Sequence, residues 1–323
     1  MYDLKVFSCN ASKAFAEEIC QYLKIPLGQS ESFKFDNDNT FVKILEKVRE
    51  DDVFIIQTSM PPVDANFMEL LIMIDAVKRS SAKKISVVLP YFPYVRSDKK
   101  DQPRIAITAR LVADLLTAAG ADRVLTCDLH STQIQGFFSI PVDQLTAEPL
   151  LSNYYARKGF DDLVVVAADA GSSKKAYKYA RSLGVPMALL DKRRLGNKQE
   201  VAIENLIGEV EGKRAVVFDD EIDRASSLIE AVNTLIKHGA KEVYAGCTHP
   251  VLSGPAIERI KNSPVKEVIV TNTIPLTPEK KLDKITVLTM APAFAEAIKR
   301  IHYGDSMGEM FDSDEVIKLI SQV

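Results

Sequence analysis

The stretch VVFDDEIDRASSLIEA (residues 216–231) passes from a short apolar run, through acidic and small hydroxyl residues, into a helical pattern. A short and continuous apolar run is typical of a strand that is covered on both faces. A strand that leads through a tight loop into a helix is the repeating unit of α/β folds. The stretch therefore predicts a mainly parallel sheet flanked by helices.

The same alternation recurs along the chain. Short Val- and Ile-rich runs stand at 53–58, 85–90, 123–128, 163–169, 214–220, 243–248 and 267–272. Helical patterns lie between or after these runs, at 66–79, 105–119, 173–183, 225–238 and 292–302. This order predicts an α/β protein with parallel sheets and helices on both sides.

Two segments of the chain resemble each other. LLTAAGADRVLTCDLH (115–130) and LIKHGAKEVYAGCTH (235–249) both read as a helix end, a Gly-Ala turn, a strand and a histidine. The two histidines, His130 and His249, are 119 residues apart, and the turn glycines show the same spacing. A duplicated α/β unit is the preferred interpretation.

The duplication predicts two domains. We place the first at residues 1–145 and the second at 146–303, with the boundary near Thr146 in a polar segment. The tail at 304–323 is polar with one short amphipathic stretch, so it either packs on the first domain or is loose.

Composition excludes several classes of function. A net charge of −3 over 323 residues gives no broad electrostatic reason to bind nucleic acid or a membrane surface. No apolar run approaches the roughly 20 residues that span a bilayer, and the first residues lack a secretory layout. The four cysteines have no CxxC spacing, which indicates reduced thiols in a cytoplasmic protein.

The end of the predicted strand at 214–220 and the residues just after it are the strongest chemical signal. Asp219, Asp220 and Asp223 precede Ser226 and Ser227, where a helix begins. Helix-start N–H groups and Ser hydroxyls bind anions, and neighbouring carboxylates suit the hydroxyls of a sugar. This combination indicates a phosphorylated-sugar site; acidic residues that only cap the next helix are an equal alternative.

The loop AADAGSS (167–173) follows the matching strand of the second half. It could cradle a diphosphate with Asp169 on a divalent cation, or it could be an ordinary turn. In TCDLHSTQ (126–133), Asp128 and His130 stand at alternate positions of a predicted strand end, hence on one face. A structural histidine is the commoner alternative there.

Two segments rich in cations follow other predicted strands. LLDKRRLGNKQE (189–200) is either a solvated loop or a flap that closes over phosphates and stabilises charge during transfer. LPYFPYVRSDKKDQPR (89–104) is either an anion-binding loop or a plain surface loop.

Together these segments resemble the ribose-phosphate diphosphokinases, which make 5-phosphoribosyl 1-diphosphate. The blocks that carry the resemblance occur in the family's order at 61–100, 119–145, 191–194, 219–227 and 248–260. The resemblance implies two domains of the type I phosphoribosyltransferase fold, assembled as homodimers within a hexamer. It also implies Mg²⁺ as cofactor, ATP as donor and ribose 5-phosphate as acceptor.

The resemblance also assigns roles to individual residues. Lys192 and Arg194 would be catalytic flap residues, and His130 and Asp169 would bind magnesium. ATP would contact Phe35, Asn37, Asp38, Asn39, Arg96 and Ser97, the first four from an adjacent subunit. Ribose 5-phosphate would contact Arg194, Asp219, Asp220, Asp223, Arg224, Ala225, Ser226 and Ser227.

Several substrate positions depart from the family pattern. The family's usual Phe-Ser-Asp-Gly-Glu is Phe-Asp-Asn-Asp-Asn at 35–39, and Arg-Gln is Arg-Ser at 96–97. Ser-Pro-Asp-Ala-Gly-Gly is Ala-Ala-Asp-Ala-Gly-Ser at 167–172, and Asp-Thr-Ala-Gly-Thr is Asp-Arg-Ala-Ser-Ser at 223–227. Two alternatives therefore stand beside an active synthase: a non-catalytic regulatory paralogue, and a diphosphokinase with another donor or acceptor.

Overall fold

The computed structural model describes residues 2–193 and 203–311. These residues form two compact units. The first contains the chain up to Thr146, together with Thr273–Pro275 and the chain from Thr289 onward. The second contains Ala147–Asn272 and Leu276–Leu288.

The first unit contains a parallel sheet, a hairpin and four α-helices among its described residues. Its strands are β1 (Leu4–Ser8), β2 (Ser30–Lys34), β3 (Thr40–Ile44), β4 (Asp52–Ile56), β5 (Lys84–Leu89), β6 (Arg123–Cys127) and β7 (Val142–Leu145). Its helices are α1 (Lys13–Leu23), α2 (Val63–Arg79), α3 (Thr108–Ala119) and α8 (Ala291–Tyr303). The sheet order is β1-β4-β5-β6-β7, all parallel, and β2 pairs with β3 as an antiparallel hairpin.

The second unit is built around a seven-stranded sheet. Its strands are β8 (Leu163–Ala167), β9 (Met187–Arg193), β10 (Ile203–Ile207), β11 (Arg214–Glu221), β12 (Glu242–His249), β13 (Glu267–Thr271) and β14 (Ile285–Leu288). Its helices are α4 (Glu148–Arg157), α5 (Ser173–Leu183), α6 (Ser226–Lys237) and α7 (Ala256–Asn262). The order is β10-β9-β8-β11-β12-β13-β14, and only the β10–β9 pair is antiparallel.

The predicted α/β architecture is confirmed. All five residues of β4 and all five of β8 are buried, as expected of strands covered on both faces. The apolar runs between 53 and 272 each correspond to a strand, and the five predicted helices are present with ends shifted by up to three residues. In the described residues, no helix is both long and apolar enough to cross a lipid bilayer.

The two sheets share their central strand order. The order β4-β5-β6-β7 of the first sheet matches the order β8-β11-β12-β13 of the second. The sheets differ on the other side, where the first has β1 at its edge and the second has β9 and β10. The two segments of the predicted repeat thus contain equivalent strands, β6 and β12. The two histidines do not match in environment: His249 is buried inside β12, whereas His130 is exposed beyond the end of β6.

The predicted limits of the second domain need one correction. Helix α8 was expected to belong to the second domain, but it is part of the first unit. Phe294 packs edge-on against Phe15 of α1, with ring centroids 5.4 Å apart. His302 Nδ1 lies 2.9 Å from Asp52 Oδ2 at the start of β4. The apolar face of a helix predicts that another element packs against it. The sequence does not show which sheet or helix that element is.

The described start of the tail also belongs to the first unit. Arg300 donates to the Ser306 carbonyl at 2.8 Å and pairs with Glu309 at 2.8 Å. Met310 is buried. Residues 312–323 lie outside the described residues, so the fate of the remaining tail stays a prediction.

Candidate active site

The second sheet places two loops side by side at the carboxyl ends of neighbouring strands. β8 and β11 are adjacent and parallel, and their loops run in opposite directions, because the chain goes from β8 to β9 on one side and from β11 to β12 on the other. Such a switch point is where open α/β sheets bind their ligands. The loops at 168–172 and 222–225 therefore form the candidate site.

The end of β11 carries an acidic pair that is neutralised in part by one lysine. Lys175 of α5 lies 3.0 Å from Asp219 Oδ1 and also forms an ion pair with Asp220. The Asp220 N–H donates to Asp219 Oδ1 at 2.9 Å. The side chain of Asp220 is 10% exposed, whereas that of Asp219 is 52% exposed and open to a ligand.

The charges of Lys175, Asp219 and Asp220 affect one another. Burial raises the pKa of Asp219 to about 6; Asp220 adds to the rise and Lys175 opposes it. Because the Asp219 side chain is half exposed, water screens part of this effect. Burial lowers the pKa of Lys175, but attraction to the two carboxylates outweighs burial and leaves that pKa raised. Lys175 is therefore a cation at neutral pH.

The lysine is held by aromatic packing one helical turn away. Tyr179 of α5 stacks on Phe218 of β11, with centroids 3.8 Å apart and ring planes 5° apart. Phe218 fits there because Gly246 on β12 has no side chain: a Cβ at Gly246 would lie 2.8 Å from the Phe218 ring. The acidic pair is thus attached to a rigid part of the sheet.

The start of α6 offers unsatisfied N–H groups. Ala225 precedes the helix with φ of +58°, and none of the described side chains caps this end. Ser226 and Ser227, the first residues of the helix, are exposed. An uncapped helix start flanked by hydroxyls favours binding of a phosphate group. The left-handed residue is Ala225, not Ser226, so the serine at the family's glycine position creates no backbone strain.

The loop that leads into α6 is fastened to the loop that follows β12. Asp223 accepts a short hydrogen bond from Ser253 Oγ, and its carbonyl accepts one from the Ser253 N–H at 2.9 Å. Arg259 of α7 donates to the Arg224 carbonyl at 2.9 Å. These contacts fix the backbone of the predicted sugar-phosphate loop.

The Arg224 side chain is exposed and extends beside Gly254, where an added Cβ would lie 3.8 Å from its guanidinium. Within the described ranges, no carboxylate is paired with this guanidinium. The arrangement in which Arg224 occupies the site by pairing with Asp219, Asp220 or Asp223 is therefore not observed.

Hydrogen bonds within the loop after β8 fix its conformation. Asp169 Oδ1 accepts the Ser172 N–H at 2.8 Å, and Ser172 Oγ donates to the Asp169 carbonyl at 2.9 Å. Gly171 leaves room for this carboxylate, because a Cβ there would lie 3.3 Å from Asp169 Oδ1. Asp169 is exposed and belongs to the second unit. Its carboxylate is therefore accessible from solvent.

His130 is exposed and belongs to the first unit. The expectation that Asp128 and His130 share a strand face is wrong, because β6 ends at Cys127 and Asp128 adopts φ of +32°. Across residues 2–193 and 203–311, no group of three or more His, Cys, Asp or Glu side chains could hold a metal ion.

The predicted base-binding residues form the turn of the β2–β3 hairpin. Phe35 is 49% exposed and contacts the rings of Phe33 and Phe41, with centroids 5.1 and 5.8 Å away. Asn37 Oδ1 accepts the Asn39 N–H at 3.2 Å. The Asn37 amide therefore has its oxygen engaged in the turn and its NH₂ group available.

The remaining predicted ATP contacts have different environments. Asp38 is bound by Lys34 at 2.5 Å within the same hairpin. Ser97 Oγ accepts the Thr108 N–H at 3.1 Å, so this side chain holds the start of α3. Arg96, its neighbour, is exposed.

The flap residues are the least described part of the prediction. Lys192 lies in β9, which confirms only that its backbone continues a strand of the sheet. Arg194 lies outside the described residues.

Sequence reasoning missed Lys175. The chain carries Lys174 and Lys175 side by side at the start of α5, and either could face solvent. The buried positions Ala176 and Tyr179 define the inward face of α5. Lys175 is four residues before Tyr179 and so shares that face, a helical spacing that could have identified it.

Comparison with known proteins agrees over nearly the whole chain. Residues 4–120 match the family model for the N-terminal domain of ribose phosphate pyrophosphokinase, and residues 194–312 match that for the phosphoribosyl synthetase-associated domain. A ribose-phosphate pyrophosphokinase of Halalkalibacterium halodurans is 53% identical, over 96% of this chain and 98% of the relative. One from Caldanaerobacter subterraneus is 52% identical, over 95% and 98%.

A solved structure agrees as well. The crystal structure of phosphoribosylpyrophosphate synthetase from Mycobacterium smegmatis superposes with a TM-score of 0.89 at 42% identity, covering 94% of this chain and 99% of that one. The expected fold of two phosphoribosyltransferase-like α/β domains is thereby confirmed. This chain is an enzyme that belongs to the ribose-phosphate pyrophosphokinase family.

Proposed function

We propose that this enzyme transfers the β,γ-diphosphate of ATP to O1 of ribose 5-phosphate, giving 5-phosphoribosyl 1-diphosphate and AMP. The observation that supports this best is the acidic pair Asp219–Asp220 beside the uncapped start of α6, at the switch point of the second sheet. Carboxylates accept hydrogen bonds from sugar hydroxyls, and the helix start favours the sugar's phosphate.

The reaction needs positioning more than covalent chemistry. O1 of the sugar forms a bond with the β-phosphorus while the bond from that phosphorus to the α,β-bridging oxygen breaks, and AMP leaves with that oxygen. Asp219, Asp220 and Asp223 hold the ribose, and the Arg224–Ser227 loop holds its 5-phosphate. The Asp169–Ser172 loop receives the diphosphate. Lys192 and Arg194 stabilise the charge that develops during transfer.

The donor site in this proposal combines residues 35–39 of an adjacent subunit with residues 96–97. Phe35 stacks on the base, and Asn37, Asp38 and Asn39 line its edge. Arg96 and Ser97 contact the nucleotide from the other segment. The exposed ring of Phe35 supports this role, since an aromatic face suits any nucleobase.

Mg²⁺ fits the residues present. It binds proteins through one or two carboxylates, together with water and substrate phosphates, and the Asp169 carboxylate is exposed on the loop after β8. Asp169 would hold it. When bound, it would neutralise charge on the donor's phosphates.

We also propose that the chain acts in nucleotide biosynthesis in the cytoplasm, as homodimers within a hexamer. The free state of all four cysteines, each buried, supports a reducing compartment. Light scattering on a sizing column tests the assembly: a mass of six chains is expected, and a monomer would contradict it.

The test of function is incubation of the pure protein with magnesium, ATP and ribose 5-phosphate. AMP is the expected nucleotide product, and Asp219→Asn is expected to slow its formation because the sugar loses a carboxylate partner. Glu211→Gln is the matched control, since Glu211 is exposed and precedes the start of β11, at the opposite end of that strand from the loop. ADP as product would indicate simple phosphoryl transfer and contradict the proposal.

One observation favours a second candidate, a regulatory subunit without activity of its own. Arg224 places a bulky cation in the loop where the family usually has Thr. If the pure protein forms no AMP but changes the rate of an active homologue when the two are mixed, the regulatory role replaces the catalytic one.

A further inference from the structure

Lys175 is the described cation that joins both carboxylates of the candidate sugar site. Its Nζ lies 3.0 Å from Asp219 Oδ1 and forms a second ion pair with Asp220. Two adjacent carboxylates repel each other, and burial increases that repulsion. One shared cation offsets much of this, and it also restricts the rotation of both carboxylates.

The position of this cation is set by packing rather than by chance contact. Ala176 and Tyr179 bury the same side of α5 against the sheet, and Tyr179 stacks on Phe218, the residue before Asp219. Residues four apart on a helix project on the same face. The Lys175 ammonium is therefore directed to the end of β11 by two neighbouring anchor points.

We propose that Lys175 is a positioning residue, which holds Asp219 and Asp220 ionised and oriented so that they accept hydrogen bonds from vicinal hydroxyls of a phosphorylated sugar. This inference rests on the proposed function. Lys175 itself need not contact the sugar, because its effect passes through the two carboxylates.

Among the described residues, the titratable groups of β12 that pair in register with the acidic end of β11 are Cys247 and His249. Asp219 pairs in register with Cys247 of β12, and burial raises the pKa of that thiol well above its usual value, so it stays neutral. Glu221 pairs in register with His249, and both are buried. His249 is thus the neighbouring group that could also change charge near neutral pH.

The alternative is that Lys175 only fixes α5 to the sheet. Three variants separate the two roles. Lys175→Met removes the charge and keeps most of the chain's length, Lys175→Arg keeps the charge, and Lys178→Met alters an exposed lysine of the same helix. Lys175→Gln repeats the charge removal in case the Met variant does not fold.

The first measurement is a pH titration of the Asp219 side-chain carboxyl carbon by ¹³C NMR, which gives the midpoint pH of that carboxyl group. Because the signal belongs to a carboxyl carbon, it is not confused with titration of His249. Lys175→Met and Lys175→Gln are expected to raise the midpoint, because an opposing cation has been lost. Lys175→Arg and Lys178→Met are expected to leave it near the wild-type value. An unchanged midpoint in the charge-removing variants would overturn the proposal.

The second measurement is steady-state kinetics with thermal unfolding of the same samples. Lys175→Met is expected to raise the KM for ribose 5-phosphate about tenfold or more, since hydrogen bonds to charged groups contribute that much, with a smaller change in the KM for ATP. As the pH is lowered, the rate of Lys175→Met is expected to fall at a higher pH than the rate of wild type. Lys175→Arg should restore both properties. A loss of activity that is the same at every pH, is proportional to the lowered Tm and is not restored in Lys175→Arg would show a structural role only.

The two measurements keep this inference separate from the proposed function. The NMR titration needs no turnover, so it tests Lys175 even if wild type forms no AMP. If wild type is active but the Lys175 variants behave like Lys178→Met in both measurements, the proposed function stands and the role of Lys175 is refuted.

Discussion

Tyr179 on α5 and Phe218 on β11 stack face to face, with ring centroids 3.8 Å apart and planes 5° apart. This contact joins the helix after one active-site loop to the strand before the other. A shift of α5 along β11 would break the stack and move Lys175 away from the acidic pair. The geometry of the sugar site thus depends on an aromatic pair that contacts no substrate.

Replacing Tyr179 with Leu tests this dependence. The free energy of unfolding is expected to fall by about 1 kcal/mol or more, since an aromatic pair adds about 0.5–1.5 kcal/mol beyond its buried area. The KM for ribose 5-phosphate should rise as Lys175 loses its support. Urea unfolding and initial rates measure the two effects. Tyr177→Leu is the control, because Tyr177 is 60% exposed on the same helix; equal effects of both substitutions would refute the dependence.

Asn37 provides a test of donor selectivity. Its amide oxygen accepts the Asn39 N–H, which leaves the NH₂ group as a donor toward a base. A hydrogen-bond donor can bind a carbonyl group on the base, but it forms no hydrogen bond with the amino group of adenine, which is itself a donor. We therefore expect the preference of kcat/KM for ATP over GTP to stay below about a hundredfold, because an adaptable site discriminates weakly.

Asn37→Asp should increase that preference, since a carboxylate accepts from the amino group of adenine and can still accept the Asn39 N–H. Asp36→Asn, in the same exposed turn, is the control and should change little. Strict use of ATP by the wild type in a side-by-side donor panel would contradict the reading of Asn37.

Arg224 provides a test of the acceptor site. With no carboxylate partner in the described residues, its guanidinium is free to form paired hydrogen bonds with the 5-phosphate. Arg224→Thr restores the family's residue and is expected to raise the KM for ribose 5-phosphate by up to about tenfold, the effect of one charge-assisted hydrogen bond. Arg224→Lys keeps the charge, and its KM for ribose 5-phosphate should lie between those of wild type and Arg224→Thr. A large gain in activity with Thr would show instead that Arg224 blocks the site.

Lys192 remains a prediction from the sequence. Lys192→Ala is expected to lower kcat by about a hundredfold or more, because electrostatic contacts made in the transition state commonly contribute that much. The KM values should change far less, since such a contact adds little to ground-state binding. Lys178→Ala, an exposed lysine outside the site, is the control. Near-normal turnover in Lys192→Ala would remove the catalytic assignment.

Much of the fold could be read from the sequence because its strands are buried on both faces and appear as continuous apolar runs. β4, β5 and β8 were identified in this way. The half-exposed hairpin strands β2 and β3 were not, because their burial patterns are irregular. Helix α8 was placed in the wrong domain, since sequence order does not show that it packs against α1.

Candidate site residues could be predicted where they lie at or just beyond the carboxyl end of a strand. The sequence predicts Asp169, Asp219 and Asp220 there, because parallel strands present their carboxyl ends at one edge. Lys175 was not found, because its role comes from a helix that is folded back beside β11. The left-handed conformation of Ala225 was also missed, since alanine gives no sequence signal for positive φ.

The central claim is that the bond broken in ATP lies between the α,β-bridging oxygen and the β-phosphorus. The most direct measurement uses ATP labelled with ³²P at the β position, incubated with the protein, magnesium and ribose 5-phosphate, followed by separation of the products. The account predicts that the label moves into the sugar product and that the AMP formed carries none. Label retained in ADP, with an unlabelled sugar product, would contradict it.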